Sequence, residues 1–269
     1  MFYKFYCICV FLIIADSCSS NKYAATNKVY KRQAKIFGKT IRQSPAKDIY
    51  NTQSGWVGTT NFGMRKPNFV IIHHTAQNSC EQTLQTFTLT RTQVSAHYVI
   101  CKDGSIHHML NDYLRAWHAG AASWGNDKDI NSSSIGIELD NNGYDSFPSA
   151  QINSLLTLLA TLKKSYNIPI TNFIGHADIA PIRKNDPNVK FPWQFLAQNG
   201  YGMWYGDTSE ITVPSDFNTL SALRIIGYSV KDSLAAVAAF KRHFETQDSS
   251  TVINDADKKI LYDLMVKYQ

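Results

Sequence analysis

The stretch Pro67-Asn68-Phe69-Val70-Ile71-Ile72-His73 decides the fold class. Four consecutive apolar residues follow a proline and lead straight into a histidine. The run is too short for a helix and apolar on both alternating faces, which is the pattern of a central strand covered from both sides. Ile135-Gly136-Ile137-Glu138-Leu139 repeats it with one carboxylate inside, and Phe173-Ile174-Gly175 is a further short strand that ends at His176.

Helical and hairpin signals lie between these strands. Ser79-Cys80-Glu81-Gln82 has the form of a capping box and predicts a helix through about Arg91. His97 to Cys101, the Asp103-Gly104 turn and Ser105 to Met109 spell a hairpin. Ser149 to Tyr166 carries Ile152, Leu155, Leu156, Leu159 and Leu162 at helical spacing. Interleaved strands and helices with a hairpin among them predict an α/β fold with a mixed central β-sheet flanked by helices, rather than an all-parallel sheet. The strand-end histidines then fall where ligands of α/β sheets collect.

Beyond the aromatic segment 201–205, Pro214-Ser215-Asp216 opens three helical stretches, roughly 215–226, 231–244 and 255–267. Their apolar residues suffice for a small three-helix C-terminal module. The expected organisation is 1–18 as a signal peptide, 19–47 as a basic flexible linker, 48–208 as the main α/β domain and 209–269 as the helical module.

The N-terminal expectation rests on Lys4 followed by an unbroken apolar run from Phe5 to Ala15, shorter than the ~20 residues that span a bilayer. Export follows, to the cell envelope or beyond the cell. Cys18 comes after small residues in the manner of a lipoprotein cleavage box, so attachment to a membrane through a lipidated Cys18 and release by ordinary cleavage both stay open. Of the five cysteines, only Cys80 and Cys101 lie beyond this segment, and an exported chain could bridge them.

The formal charge of +6 is a property of one segment. Asn21 to Lys47 holds eight basic residues and no acidic one, whereas from Asp48 onward 18 Lys or Arg face 20 Asp or Glu. The folded body therefore has no basic excess for nucleic acid, and the basic stretch suits a solvated tether near anionic lipid or wall polymer. There is no His-Glu-x-x-His, no Gly-x-x-x-x-Gly-Lys loop and no Gly-x-Gly-x-x-Gly turn.

Among the eight histidines, His73 and His176 stand at strand ends and Asp186 lies ten residues past His176. Two imidazoles and a carboxylate leave a fourth tetrahedral position open, as in catalytic rather than structural zinc sites. The surrounding sequence is specific. Val70-Ile71-Ile72-His73-His74-Thr75, Ser95-Ala96-His97-Tyr98, Ala116-Trp117-His118-Ala119-Gly120, Ser134-Ile135-Gly136-Ile137-Glu138 and Ile174-Gly175-His176-Ala177-Asp178-Ile179-Ala180-Pro181, continuing through Arg183-Lys184-Asn185-Asp186-Pro187, occur in this order. In these pieces the chain resembles the type 2 family of N-acetylmuramoyl-L-alanine amidases, over roughly residues 48–205.

The resemblance implies zinc-dependent hydrolysis of the amide between N-acetylmuramic acid, ordinary or anhydro, and L-alanine in peptidoglycan or muropeptides. It makes His73, His176 and Asp186 the zinc ligands, Glu138 the general base and acid, and Lys184 the cation beside the oxyanion. The C-terminal module resembles the peptidoglycan-binding helical domains that accompany such enzymes. On physical grounds Trp117 and His118 are candidates to line the substrate groove, and His74 points away from His73 because alternate strand residues face opposite sides. His97 and Tyr98 are read as sheet supports. His107, His108 and His243 belong to no motif and are read as ordinary polar residues. The competing function is a peptidoglycan recognition protein that keeps the fold without catalysis.

Overall fold

The computed structural model describes residues 22–42, 59–246, 248 and 250–269. The expected signal peptide and Cys18 lie outside them. By contacts the chain divides into Met1–Asn61 and Phe62–Gln269.

In the first unit, α1 spans Ala24–Ile41, and none of its residues is buried. A helix thus stands within the stretch expected as a flexible linker over 19–47, of which residues 22–42 are described. Residues 24–41 hold three alanines and four lysines, no proline and one glycine, Gly38, so intrinsic propensity favours a helix even where no apolar face is covered.

In the second unit, β1 (Phe69–His74), β2 (Tyr98–Ile100), β3 (Ile106–His108), β4 (Ser134–Leu139) and β5 (Phe173–Gly175) form one sheet in the order β3-β2-β4-β1-β5. Only β3 runs antiparallel to its neighbour. Every residue of β1 and β4 is buried, which is why both read as continuous apolar runs.

Period-2 alternation sends Val70, Ile72, Ile135, Ile137 and Leu139 into a core with α4 (Ser149–Tyr166), whose Leu155, Leu159 and Leu162 are buried against them. Each such leucine contributes roughly 1.5–3 kcal/mol, so this stripe outweighs the missing side-chain cap at the helix start. Phe69, Ile71 and Ile174 face the other side. There they share a core with α7 (Thr219–Ile226), α8 (Ser233–Phe244) and α9 (Asp255–Tyr268). Residues 62–208 of the expected main domain and the segment 209–269 thus share one core within one unit.

The three late helices begin behind Asn218, Asp232 and Asn254, each of which accepts a backbone N–H of the first turn. α2 (Cys80–Thr88) starts at Ser79, whose Oγ accepts the Gln82 amide at 3.2 Å. The return contact falls one residue earlier than in a capping box, since Gln82 Oε1 accepts from the Asn78 amide at 3.1 Å. A Cys80–Cys101 disulfide ties the start of α2 to the end of β2. Among the described residues no helix is long and apolar enough to cross a membrane.

Candidate metal and catalytic site

Parallel pairing of β1 with β4 sets His73 opposite Glu138 at the same sheet edge. β5 pairs Gly175 with Ile72, so the next residue, His176, emerges beside His73. The chain then turns through α5 (His176–Ile179), and the Ala177 amide donates to the Asp186 carbonyl at 2.7 Å, bringing that aspartate back over the strand ends. His73, His176, Asp186 and Glu138 are all buried in the floor of a cavity of about 330 Å³.

Hydrogen-bond partners fix which ring nitrogens are free. Ser134 Oγ donates to the Ile130 carbonyl at 2.5 Å, so it can only accept from His118 Nε2 at 3.1 Å. His118 Nδ1 must then accept from His73 Nε2 at 3.0 Å, leaving His73 Nδ1 with a bare lone pair. Across the cavity, His176 Nε2 donates to the Ala119 carbonyl at 3.1 Å, which bares its Nδ1 too. These Nδ1 atoms lie 2.8 Å apart, and Asp186 Oδ2 is 3.1 Å from the first and 3.0 Å from the second.

Three acceptors held this close require a shared proton or a cation. Burial first, and then the neighbouring His176, push His73 down to about 4 against the pull of Asp186. At neutral pH the proton is therefore disfavoured. Burial also works against the Asp186 carboxylate, and hydrogen bonds from the two imidazoles are what would hold it below the ordinary carboxylate value, so with both Nδ1 atoms bare a cation has to take the place of that proton. Two imidazole nitrogens and one carboxylate oxygen suit zinc with an open position.

Glu138 stands beside this triad with Oε2 buried and unpartnered among the described residues. Burial, and then the charge of Asp186, push its carboxyl up to about 8 against the pull of Lys184. Lys184 is exposed on the cavity wall, and Trp117, 53% exposed, stands on its rim.

His118 also borders the cavity, but its ring nitrogens are taken by His73 and Ser134, so its geometry is that of a support beneath His73. Space for it comes from Gly136, where an added Cβ would lie 2.6 Å from His118 Cδ2. Gly136→Ala is accordingly expected to displace His118, weaken zinc binding by about 10–100-fold and cost roughly 1–3 kcal/mol of stability. Chelator competition and thermal unfolding of the variant check both effects.

His74 lies on the opposite pleat from His73, against Gly143. His97 supports the sheet as expected from its strand position, accepting the Gly136 amide on Nδ1 at 3.0 Å. Sequence reasoning missed three clamps on the loop that carries Trp117 and His118. Asn131 Oδ1 accepts the His118 and Ala119 amides, Arg183 donates to the Ala119 and Ala121 carbonyls, and Arg65 donates to the Asp112 and Leu114 carbonyls. Only Arg183 lies inside a recognisable motif.

A family model described as N-acetylmuramoyl-L-alanine amidase matches residues 63–189. The N-acetylmuramoyl-L-alanine amidase AmiD of Escherichia coli (strain K12) is 34% identical over 207 residues, covering 65% of this chain and 74% of that protein. The 1,6-anhydro-N-acetylmuramyl-L-alanine amidase AmpD of Haemophilus influenzae is 40% identical over 103 residues, or 38% of this chain and 56% of that one. Among solved structures, the complex of E. coli AmiD with the substrate anhydro-N-acetylmuramic acid-L-Ala-D-gamma-Glu-L-Lys superposes with a TM-score of 0.68 at 30% identity, over 83% of this chain and 97% of that one. AmpDh3 of Pseudomonas aeruginosa in complex with anhydromuramic pentapeptide gives 0.70 at 27% identity, over 82% and 99%.

Proposed function

Because the chain belongs to the type 2 family of N-acetylmuramoyl-L-alanine amidases, we propose that it hydrolyses the amide joining N-acetylmuramic acid to the L-alanine of the stem peptide, in peptidoglycan or in muropeptides. The observation that carries this reading is the convergence of His73 Nδ1, His176 Nδ1 and Asp186 Oδ2 beside the buried carboxyl of Glu138. The anhydro form of the sugar is included, since the two solved relatives above hold anhydromuramic peptides.

In this reading His73, His176 and Asp186 would hold one zinc ion, which would supply Lewis acidity and bring the pKa of a water down toward neutrality. Glu138 takes the proton of the attacking water and hands it to the leaving nitrogen of L-alanine. Lys184 sets positive charge beside the oxygen that becomes negative as the carbonyl turns tetrahedral. Trp117 offers an apolar face to the sugar or stem peptide at the rim. A recognition protein without catalysis would have no use for an unpartnered carboxyl buried beside the three ligands, at the cost such burial carries.

Export to the envelope belongs to the same proposal, supported by the apolar N-terminal run and by a disulfide of the kind that persists in oxidising compartments. Zinc analysis of the purified chain and the products formed from a defined anhydromuropeptide test the reading.

A further inference from the structure

The C-terminal helices reach the metal site through one buried carboxylate. Asp178 lies in α5, two residues past His176, and is 2% exposed. Its Oδ2 accepts the Gly175 amide at 2.8 Å and the His243 Nδ1 proton at 2.8 Å, while its Oδ1 accepts the Tyr228 hydroxyl at 2.7 Å. His243 is in α8, and Tyr228 follows α7 directly after Gly227. Both are buried. His243, read from sequence as an ordinary polar residue, is therefore part of the core.

The protonation of this network follows from its partners. A carboxylate can only accept, so His243 Nδ1 bears the hydrogen. His243 Nε2 has no hydrogen-bond partner among the described residues. That ring stacks on Trp193 with centroids 4.0 Å apart and planes 15° apart. Trp193 in turn closes on the chain just before His176, for a Cβ added at Gly175 would lie 3.0 Å from its Cζ2.

Gly175 to His176 is the turn that delivers the His176 imidazole to His73. Its backbone is pinned on one side by Asp178, and its ring on the other by the Ala119 carbonyl. Asp178 keeps its orientation because Tyr228 and His243 satisfy it. Removing either donor leaves a buried carboxylate short of a partner, and it must turn to find another.

We propose that Tyr228 and His243 are positioning residues for His176, acting through Asp178, so that the segment 209–269 completes the hydrolytic site. This rests on the reading of His176 as a zinc ligand. The role differs from wall binding by an appended module, because it requires the C-terminal helices for metal affinity itself.

The test uses the full chain and three variants, Tyr228→Phe, His243→Phe and His243→Asn. Zinc affinity is measured by competition with a chromogenic chelator, and the ligand field by the visible spectrum of the cobalt-loaded protein. Tyr228→Phe and His243→Phe should each bind zinc about tenfold more weakly with shifted cobalt bands. His243→Asn loses the stacked ring but returns an N–H near the position of Nδ1, and should regain most of the affinity. Tyr228→Phe changes only a hydroxyl, so it carries the test if His243→Phe does not fold.

Zinc affinity and cobalt spectra unchanged in Tyr228→Phe and His243→Phe would overturn the proposal. So would a His243→Asn as weak as His243→Phe, because ring packing would then be the whole effect. A wild-type chain that binds no zinc, or a His176→Ala chain that binds it normally, would instead remove the metal-ligand reading on which the proposal stands.

Discussion

Replacing Glu138 by glutamine is expected to leave the fold and the zinc content unchanged while lowering muropeptide turnover by about 10²–10⁴-fold, the range for a positioned acid or base. Glu138 is buried in β4 beside His73, and its Oε2 makes no hydrogen bond among the described residues. Glutamine keeps the size of the side chain and removes its capacity to take a proton. The substitution relieves a buried carboxyl already pushed up to about 8, so stability is expected to hold or rise. The pH profile supplies a second readout. A base works only when ionised, so wild-type turnover falls as pH drops through the Glu138 titration, and this limb should vanish in the variant. Near-normal turnover with full zinc would send the proton elsewhere, to Lys184 or a second carboxylate.

His176→Ala should fail in the opposite way, losing the metal before any question of proton transfer arises. His73 and Asp186 alone would remain, and two protein ligands rarely hold zinc in a catalytic site. The expected loss of affinity exceeds the roughly 10–100-fold typical of residues that only orient a ligand. Turnover should fall to background in step with zinc content measured by metal analysis. Full zinc occupancy in this variant would show that the ion sits elsewhere. Together, Glu138→Gln and His176→Ala separate proton transfer from metal binding by single changes in one cavity.

The strands were legible because β1 and β4 are covered on both faces, so burial writes itself as an apolar run, broken near its end by His73 and His74 in β1 and by Glu138 in β4. Local motifs marked His73, His176, Asp186 and Glu138. Strand register sets His73, Glu138 and the residue before His176 side by side, a relation between segments more than 60 residues apart in sequence, and the turn through α5 returns Asp186 to them. The helix of 24–41 was missed because its composition signals solvent and charge, while its propensity is helical. The start of α7 falls at Thr219 rather than at about 215, because Asn218 caps the helix.

The supports of the site were the least legible part. His118 was visible within its motif, but the use of its nitrogens depends on Ser134 and on the gap left by Gly136. Arg65 and Asn131 act on loop carbonyls and amides, contacts with no periodicity to read. His243 meets Asp178 from 65 residues away. No local pattern distinguishes it from a surface histidine, and its role is set by the core shared between the sheet and the C-terminal helices.

The central claim concerns which bond is cut, and mass spectrometry of the products from a defined anhydro-N-acetylmuramyl peptide, incubated with the zinc-loaded chain, tests it most directly. The account predicts two products, the free anhydro sugar acid and an intact stem peptide with L-alanine at its new N-terminus, and neither in the presence of a strong chelator. A product in which the sugar still carries L-alanine, with cleavage inside the stem peptide, would contradict it.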